Sequence, residues 1–484
     1  MPRISNQVAS ASLEPPRSGV AVMTVAQDPA PRPTGPGYER RLLGMFAVML
    51  AWLAILAVDG HLPNIGAIDT LMVWLTVAAY PLLVFSTARL LRPSARFRAW
   101  PPRDVRILRW APVLAIALSL GWMARLPLFA APNAPIQDDV TPSIICAAQD
   151  TLRADNPYAT NVTACLARLD ARASLATPLQ RGAFADLRDY PSPAQLAAAA
   201  STATGPIEAQ TFPSFGYPPL SFLLMLPVAF AGHTAWVLWT VLLALLWLIA
   251  MVRLAPARKS AVLALLLLQL GAGSVIAAAT QGDAEMAAFA LAALGLACYD
   301  RTRCSSVLMA AAASINLLML IPLLGSWLLA AHTGELRRRF LWSVGTLLAC
   351  IGPWLLIDAG SAQAMLNLVT QPVFNFGDGL VAIFGPGQIS PVWHPIFLGT
   401  FVALFALTGW LTWRHRAWAY TAPALLLAVL WISWRSDANY LAQPLLLAVA
   451  MIIGMERLRR RGASTTLPPP AGRGLGPNIP VPVL

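Results

Sequence analysis

Two adjacent carboxylates, Asp138 and Asp139, stand shortly after an apolar run that ends near Ala130. Such a pair beside an apolar segment admits three readings. A carboxylate whose pKa is raised by burial and by its neighbour serves as a general base. A carboxylate pair also ligates a hard cation. Two solvated loop acids do neither. The residues that follow bear on the choice. Thr141-Pro-Ser-Ile-Ile-Cys-Ala-Ala-Gln-Asp-Thr-Leu152 reads as an interfacial helix, with proline at an early position that favours its start. Arg153-Ala-Asp-Asn156-Pro157-Tyr158 then reads as a turn. Phe215-Gly-Tyr217-Pro218-Pro219-Leu220 opens the next apolar stretch, and its two prolines fix a helix start. Further polar residues are Gln281, Asp283, Glu285, Asn316, Asn375, Asp378, His394, Arg435 and Asp437. Arg125 lies about one turn from the end of its apolar run. An arginine there must pair or snorkel, and a lipid phosphate is a suitable partner.

The elements that position these residues follow from composition. Of 484 residues, 57% are apolar and 12% are charged. A soluble chain carries about 25% charged residues, so an ordinary soluble enzyme is excluded. Long apolar runs such as Ala261–Gly271, interrupted only by Gln269, exclude a membrane barrel, whose strands alternate. The net charge of +12 does not point to nucleic acid, because the arginines cluster between apolar spans as positive-inside loops do. There is no Walker loop. Gly271-Ala-Gly273 lacks a strand-to-helix context and fits a membrane helix interface.

A membrane helix needs about 20 mostly apolar residues. Candidate spans are 42–58, 67–91, 109–130, 235–253, 260–280, 284–299, 340–358, 394–413, 417–434 and 438–455. The expected fold is therefore all-α and polytopic, with about ten to twelve helices and a large extracytoplasmic loop after the third span. Residues 1–40 and 462–484 read as disordered cytoplasmic tails around a transmembrane domain of 41–461. Seven arginines between 89 and 109 place that connection inside. Arg301/Arg303, Arg337–Arg339, Arg414/Arg416 and Arg457–Arg461 belong on the same side. The segment 131–216, with eight acids and five arginines, then lies outside. Two stretches are ambiguous. Basic residues after 235–253 fit if 217–232 does not cross fully, and basic flanks on both sides of 304–331 fit if it enters and returns as a hairpin with its apex near Asn316; the alternative is that both stretches cross singly and the positive-inside rule fails at two loops. Irregular backbone at such depth needs protein or a water-filled cavity around it.

Five cysteines show no zinc spacing, and no metal or cofactor is expected. Cys146 and Cys165 lie in the outer loop, where an oxidising compartment permits a disulfide and two free thiols are the alternative. Trp110, Trp393 and Trp434 mark predicted helix ends, as an aromatic belt would.

The order of these pieces resembles the GT-C glycosyltransferases, and within them the bacterial polyprenyl-phosphate-mannose-dependent mannosyltransferases. The resemblance is patchy over 130–340 and rests on Asp138 or Asp139, the Ala147-Ala148 helix, Asn156-Pro157-Tyr158, Tyr217-Pro218-Pro219-Leu220, Gln281-Gly282-Asp283 and Ile315-Asn316. Ala154 stands where the family turn has glycine, Asn156 replaces its acid, and Asn316 stands where lysine is common. The resemblance implies transfer of a mannose-like sugar from a polyprenyl-phosphate donor to a glycan or lipid acceptor, at the outer face of a bacterial inner membrane. Asp139 or Asp138 is then the base. Arg125, Asn156, Tyr158, Tyr217, Gln281, Asp283, Asn316, His394 and Arg435 are the substrate-binding candidates. A flippase or transporter of a lipid-linked glycan, and an O-antigen polymerase or ligase, are the alternatives. A transporter places polar groups at mid-bilayer on broken helices, and the polymerases carry their large loop late in the chain.

Overall fold

The computed structural model describes residues 66–92, 140–160, 215–231, 284–331, 334–370, 421–433 and 435–436, with scattered positions elsewhere. Both tails and most residues of the spans at 42–58, 109–130, 235–253, 260–280, 394–413 and 438–455 lie outside the described residues. What is described is helical apart from one two-residue ladder. The helices are α1 (Gly66–Leu91), α2 (Val140–Leu152), α3 (Pro219–Leu224), α4 (Leu226–Ala231) and α5 (Glu285–Ala297). They continue with α6 (Thr302–Ala313), α7 (Leu320–Ala331), α8 (Leu336–Ile357), α9 (Gly360–Thr370) and α10 (Ala422–Ile432).

The centre is α5. Its sequence is alanine-rich, and Ala288, Ala290 and Ala293 have no exposed surface. A helix apolar on every side belongs inside a bundle. It packs on α6, which turns Ser305, Ser306, Ala310 and Ala313 inward. Small residues let two backbones approach closely. At Gly295 an added Cβ would meet the Met309 side chain at 2.5 Å, so glycine is required for this approach. The outermost described helix is α8. Among the described residues it alone is long and apolar enough to cross a membrane: 22 residues, mean hydropathy 1.9, with 6% of its apolar window buried. At about 1.5 Å per residue it is roughly 33 Å long, enough for a bilayer core.

The stretch 302–331 returns on itself. Tyr299, just before α6, donates its hydroxyl to Ser326 O on α7 at 3.3 Å, so the base of α6 lies beside the descending leg. Thr302 also bonds Glu335, at the start of α8, at 3.2 Å. Between the legs, Asn316 leaves helical geometry and its side-chain oxygen accepts the Leu318 N–H at 2.9 Å, capping a 3-10 turn over Leu317–Met319. The hairpin expected from the charges on its flanks is present, with its apex where the sequence placed it.

The stretch after Tyr217 is equally discontinuous. Helix α3 ends at Leu224, is capped by Met225, and α4 begins at Leu226. Pro227 has no N–H to continue the first helix and sits comfortably in the first turn of the second. The six residues of α3 are about 9 Å long, well short of a membrane span.

At the end expected to face inward, Arg41 donates to Arg92 O at 3.1 Å, and Arg303 lies 4.4 Å over the Trp342 ring. At the other end, Phe376 pairs with Arg435 and Gly377 with Ser436 in a parallel ladder, joining two segments both assigned outside.

Candidate functional site

The outer helix and turn form as the sequence indicates. Helix α2 begins at Val140, with Pro142 in its first turn, and buries Ile144, Ile145, Ala147 and Ala148. It is anchored by a disulfide between Cys146 and Cys165, whose Cα atoms are 5.7 Å apart. The helix closes with Asp155 N–H on Asp150 O at 2.9 Å, while Ala154 adopts the left-handed conformation at φ 63°. This is the bond pattern of a Schellman turn, in which glycine is the usual residue. Asp150 is buried, accepts the Thr160 hydroxyl at 2.6 Å and lies 3.8 Å from Arg153. It is occupied in holding the turn.

Asn156 and Tyr158 are then presented in different ways. The Asn156 Oδ1 accepts the Tyr158 N–H at 3.1 Å, the local turn that asparagine favours. The Tyr158 ring is buried among Phe215, Phe222 and Trp354, with centroids 5.7, 6.1 and 6.1 Å away. Its hydroxyl donates to Tyr217 O at 2.8 Å. Burial pushes the Tyr158 hydroxyl far above its ordinary value, so it remains a protonated donor. One side chain thus fastens the Asn-Pro-Tyr turn to the Tyr-Pro-Pro helix start. That start is fastened in turn to the hairpin, because Leu220 N–H donates to Ser314 O at 3.1 Å. Three motifs far apart in sequence meet at one place.

Asn316 is buried at the apex, and its Oδ1 serves as a cap. Its amide N–H groups are what it offers a ligand. Tyr217 is partly buried, its ring 5.7 Å from Phe215. Arg435 has its backbone in the short ladder. Asp138, Asp139, Arg125, Gln281, Asp283 and His394 lie outside the described residues.

The sequence reading missed Asp358. It ends α8, where it was counted as the last residue of an apolar span. Its Oδ2 accepts the Asn156 Nδ2–H at 3.1 Å across 202 residues, and its Oδ1 accepts the Gly360 N–H at 2.8 Å. The available signal was an acid at the outer end of a span, followed by a small-residue helix start, Ala359-Gly360-Ser361. Comparison of the chain with protein-family models, curated proteins and solved structures found no match.

Proposed function

We propose that this chain is a polytopic membrane glycosyltransferase. It moves a mannose-like sugar from a polyprenyl-phosphate donor to a glycan or lipid acceptor on the outer side of a bacterial inner membrane. The supporting observation is the junction of the Asn156-Pro157-Tyr158 turn, the Tyr217-Pro218-Pro219 helix start and the Ser314–Asn316 apex, made by the Tyr158–Tyr217 and Leu220–Ser314 bonds. These are the motifs on which the family resemblance rests, gathered beside the outer end of α8.

The chemistry requires one base and a cradle for a phosphate. Asp139, or Asp138, takes the proton of the acceptor hydroxyl. That oxygen attacks the anomeric carbon, and the polyprenyl phosphate leaves with the bonding electrons. Phosphate is a good leaving group, so donors to its oxygens suffice in place of a strong acid. Arg125, the Asn316 amide, His394 and Arg435 are the candidate donors.

The test is to incubate membranes containing the full chain with radiolabelled polyprenyl-phosphate sugars. Label should appear in a new product. Asp139→Asn or Asp138→Asn should lower the rate by about 10²–10⁴-fold, the usual worth of a general base. One of the two should be severe and the other mild, since one carboxylate suffices for one proton. A double variant that transfers at the wild-type rate removes the base assignment. No transfer from any such donor overturns the reading.

A further inference from the structure

The starts of α6 and α8 lie side by side. Thr302 Oγ1 donates to Glu335 Oε2 at 3.2 Å, and Arg339 Nη2 donates to the Tyr299 carbonyl. The first N–H groups of any helix lack partners within it. Neither of these starts is closed by a side-chain cap, and neither first turn holds an acid. Glu335, just before α8, turns its Oε2 to Arg339 and Thr302 instead of to the helix N–H groups.

Arginine stands where an acid would relieve the helix dipoles. Residues 299–303 and 335–339 together hold five arginines and two acids, Asp300 and Glu335. Arg301, Arg303, Arg337 and Arg338 are exposed and enter no ion pair among the described residues. Arg339 is buried between the two starts, and its Nη1 has no partner among the described residues. A buried charge left partly unmatched is costly. Arginines between spans follow from the positive-inside rule alone. An unmatched donor inside the protein does not, nor does the meeting of two uncapped helix starts. Negative charge is missing at this one place.

The surface beside it is apolar. Arg337 heads a row on α8 formed with Leu341, Leu348 and Leu355, whose spacings of 4, 7 and 7 residues keep them on one helix face. All four are exposed. Arg303, 4.4 Å over the Trp342 ring, holds a second guanidinium against the same end of α8. A positive end continuous with an exposed apolar row along a membrane-length helix matches an amphiphile better than a free ion.

We propose that the starts of α6 and α8 bind the phosphate headgroup of an anionic phospholipid, with its acyl chains along the Arg337–Leu355 face. The arginines supply charge-assisted bonds to the phosphate oxygens, and the helix N–H groups complete the cradle. The site rests on α8 spanning a membrane and is independent of sugar transfer.

The experiment uses the full chain in dodecyl maltoside micelles with three probes: dioleoylphosphatidylglycerol, dioleoylphosphatidylcholine and inorganic phosphate. The two lipids share a phosphodiester and acyl chains and differ in net charge. Phosphatidylglycerol should raise Tm saturably, and the other two should not. One arginine near an anionic headgroup is worth about fivefold in affinity, so the double variant Arg301→Gln/Arg338→Gln should raise the half-saturating phosphatidylglycerol concentration about 25-fold. Arg89→Gln/Arg414→Gln removes the same charge from exposed positions on other elements and should leave that concentration in place. An equal effect of phosphatidylcholine overturns the site, as does an equal loss in the Arg89/Arg414 pair. An equal effect of inorganic phosphate overturns the lipid as its occupant. A photoactivatable phosphatidylglycerol gives a reading that needs no variant. Label in peptides covering 299–303 or 336–342 upholds the site, and label confined to other segments overturns it.

Discussion

The two ends of α8 carry opposite charges and use them differently. At the N-terminal end Arg339 is 2% exposed. Its guanidinium donates to Glu335 Oε2 at 2.9 and 3.1 Å and to the Tyr299 carbonyl, and its Cζ lies 3.9 Å over the Tyr299 ring. The basic end is a lock in which Nε and Nη2 of Arg339 are bonded within the protein, while its buried Nη1 has no partner among the described residues. At the C-terminal end Asp358 is partly exposed and makes two bonds among the described residues. A buried charge must be matched internally to be tolerated, whereas a charge left partly open is available to something else. The contrast separates a residue that fastens helices from one left partly open to solvent.

The largest stability effect is expected from the outer disulfide. Cys146 and Cys165 are 19 residues apart. Closing a loop of that size stabilises by about 3 kcal/mol, mainly through the unfolded chain. Cys146→Ser should lower unfolding free energy by about that amount, read by chemical denaturation in detergent. If it leaves stability unchanged, the outer end is held by packing alone. Non-reducing peptide mapping that returns both cysteines as free thiols would contradict the bond itself.

Next in size is the inner lock. Arg339→Ala removes the partner of the Tyr299 carbonyl and of Glu335. Glu335 is 44% exposed and so is partly screened by solvent. The expected loss is about 2 kcal/mol, the worth of a hydrogen-bonded charge, measured as a lower Tm. Transfer activity per folded molecule should be unchanged, since no substrate contact is assigned there. A variant that folds normally but loses activity would erase the distinction between the two ends.

Much of this arrangement is legible in the sequence, for identifiable reasons. The hairpin of α6 and α7 follows from arginines on both flanks of one apolar stretch, which a single crossing cannot reconcile. Helix α2 and its turn follow from Pro142 and from Asn156-Pro157, residues with strong local preferences. Asp358 was not legible because its partner is 202 residues away, and local pattern carries no information about that. Arg339 was read with Arg337 and Arg338 as one loop cluster. The helix begins earlier, at Leu336, and its turn buries Arg339 while leaving its two neighbours exposed.

A smaller effect is expected at the bridge between motifs. Tyr158→Phe retains the ring packing and removes one bond to Tyr217 O, costing about 1 kcal/mol near neutral pH. The pH dependence gives a second check. The folded hydroxyl titrates above its unfolded value because it is buried. Below about pH 10, the ordinary tyrosine value, both states are protonated and the contribution is complete. Above that the unfolded state loses its proton first, so stability falls by up to about 1.4 kcal/mol per pH unit. Wild type should therefore lose its advantage over Tyr158→Phe as the pH rises past 10. Parallel curves would mean that Tyr158 is not buried.

The smallest effect compares two helix ends closed by the same bond pattern. At the inner side Glu335 N–H reaches Ala330 O, with Gly334 at φ 73°. At the outer side Asp155 N–H reaches Asp150 O, with Ala154 at φ 63°. An L-residue in this conformation costs about 1–2 kcal/mol. Glycine avoids that cost but gives up about 0.5–1 kcal/mol of chain entropy on folding. Ala154→Gly should therefore stabilise by a net amount on the order of 0.5 kcal/mol, visible as a small rise in Tm. Gly334→Ala should shift Tm in the opposite direction by a similar amount. If Ala154→Gly destabilises instead, the outer turn does not hold the left-handed geometry in solution. The Asn156–Asp358 bond would then be lost with it.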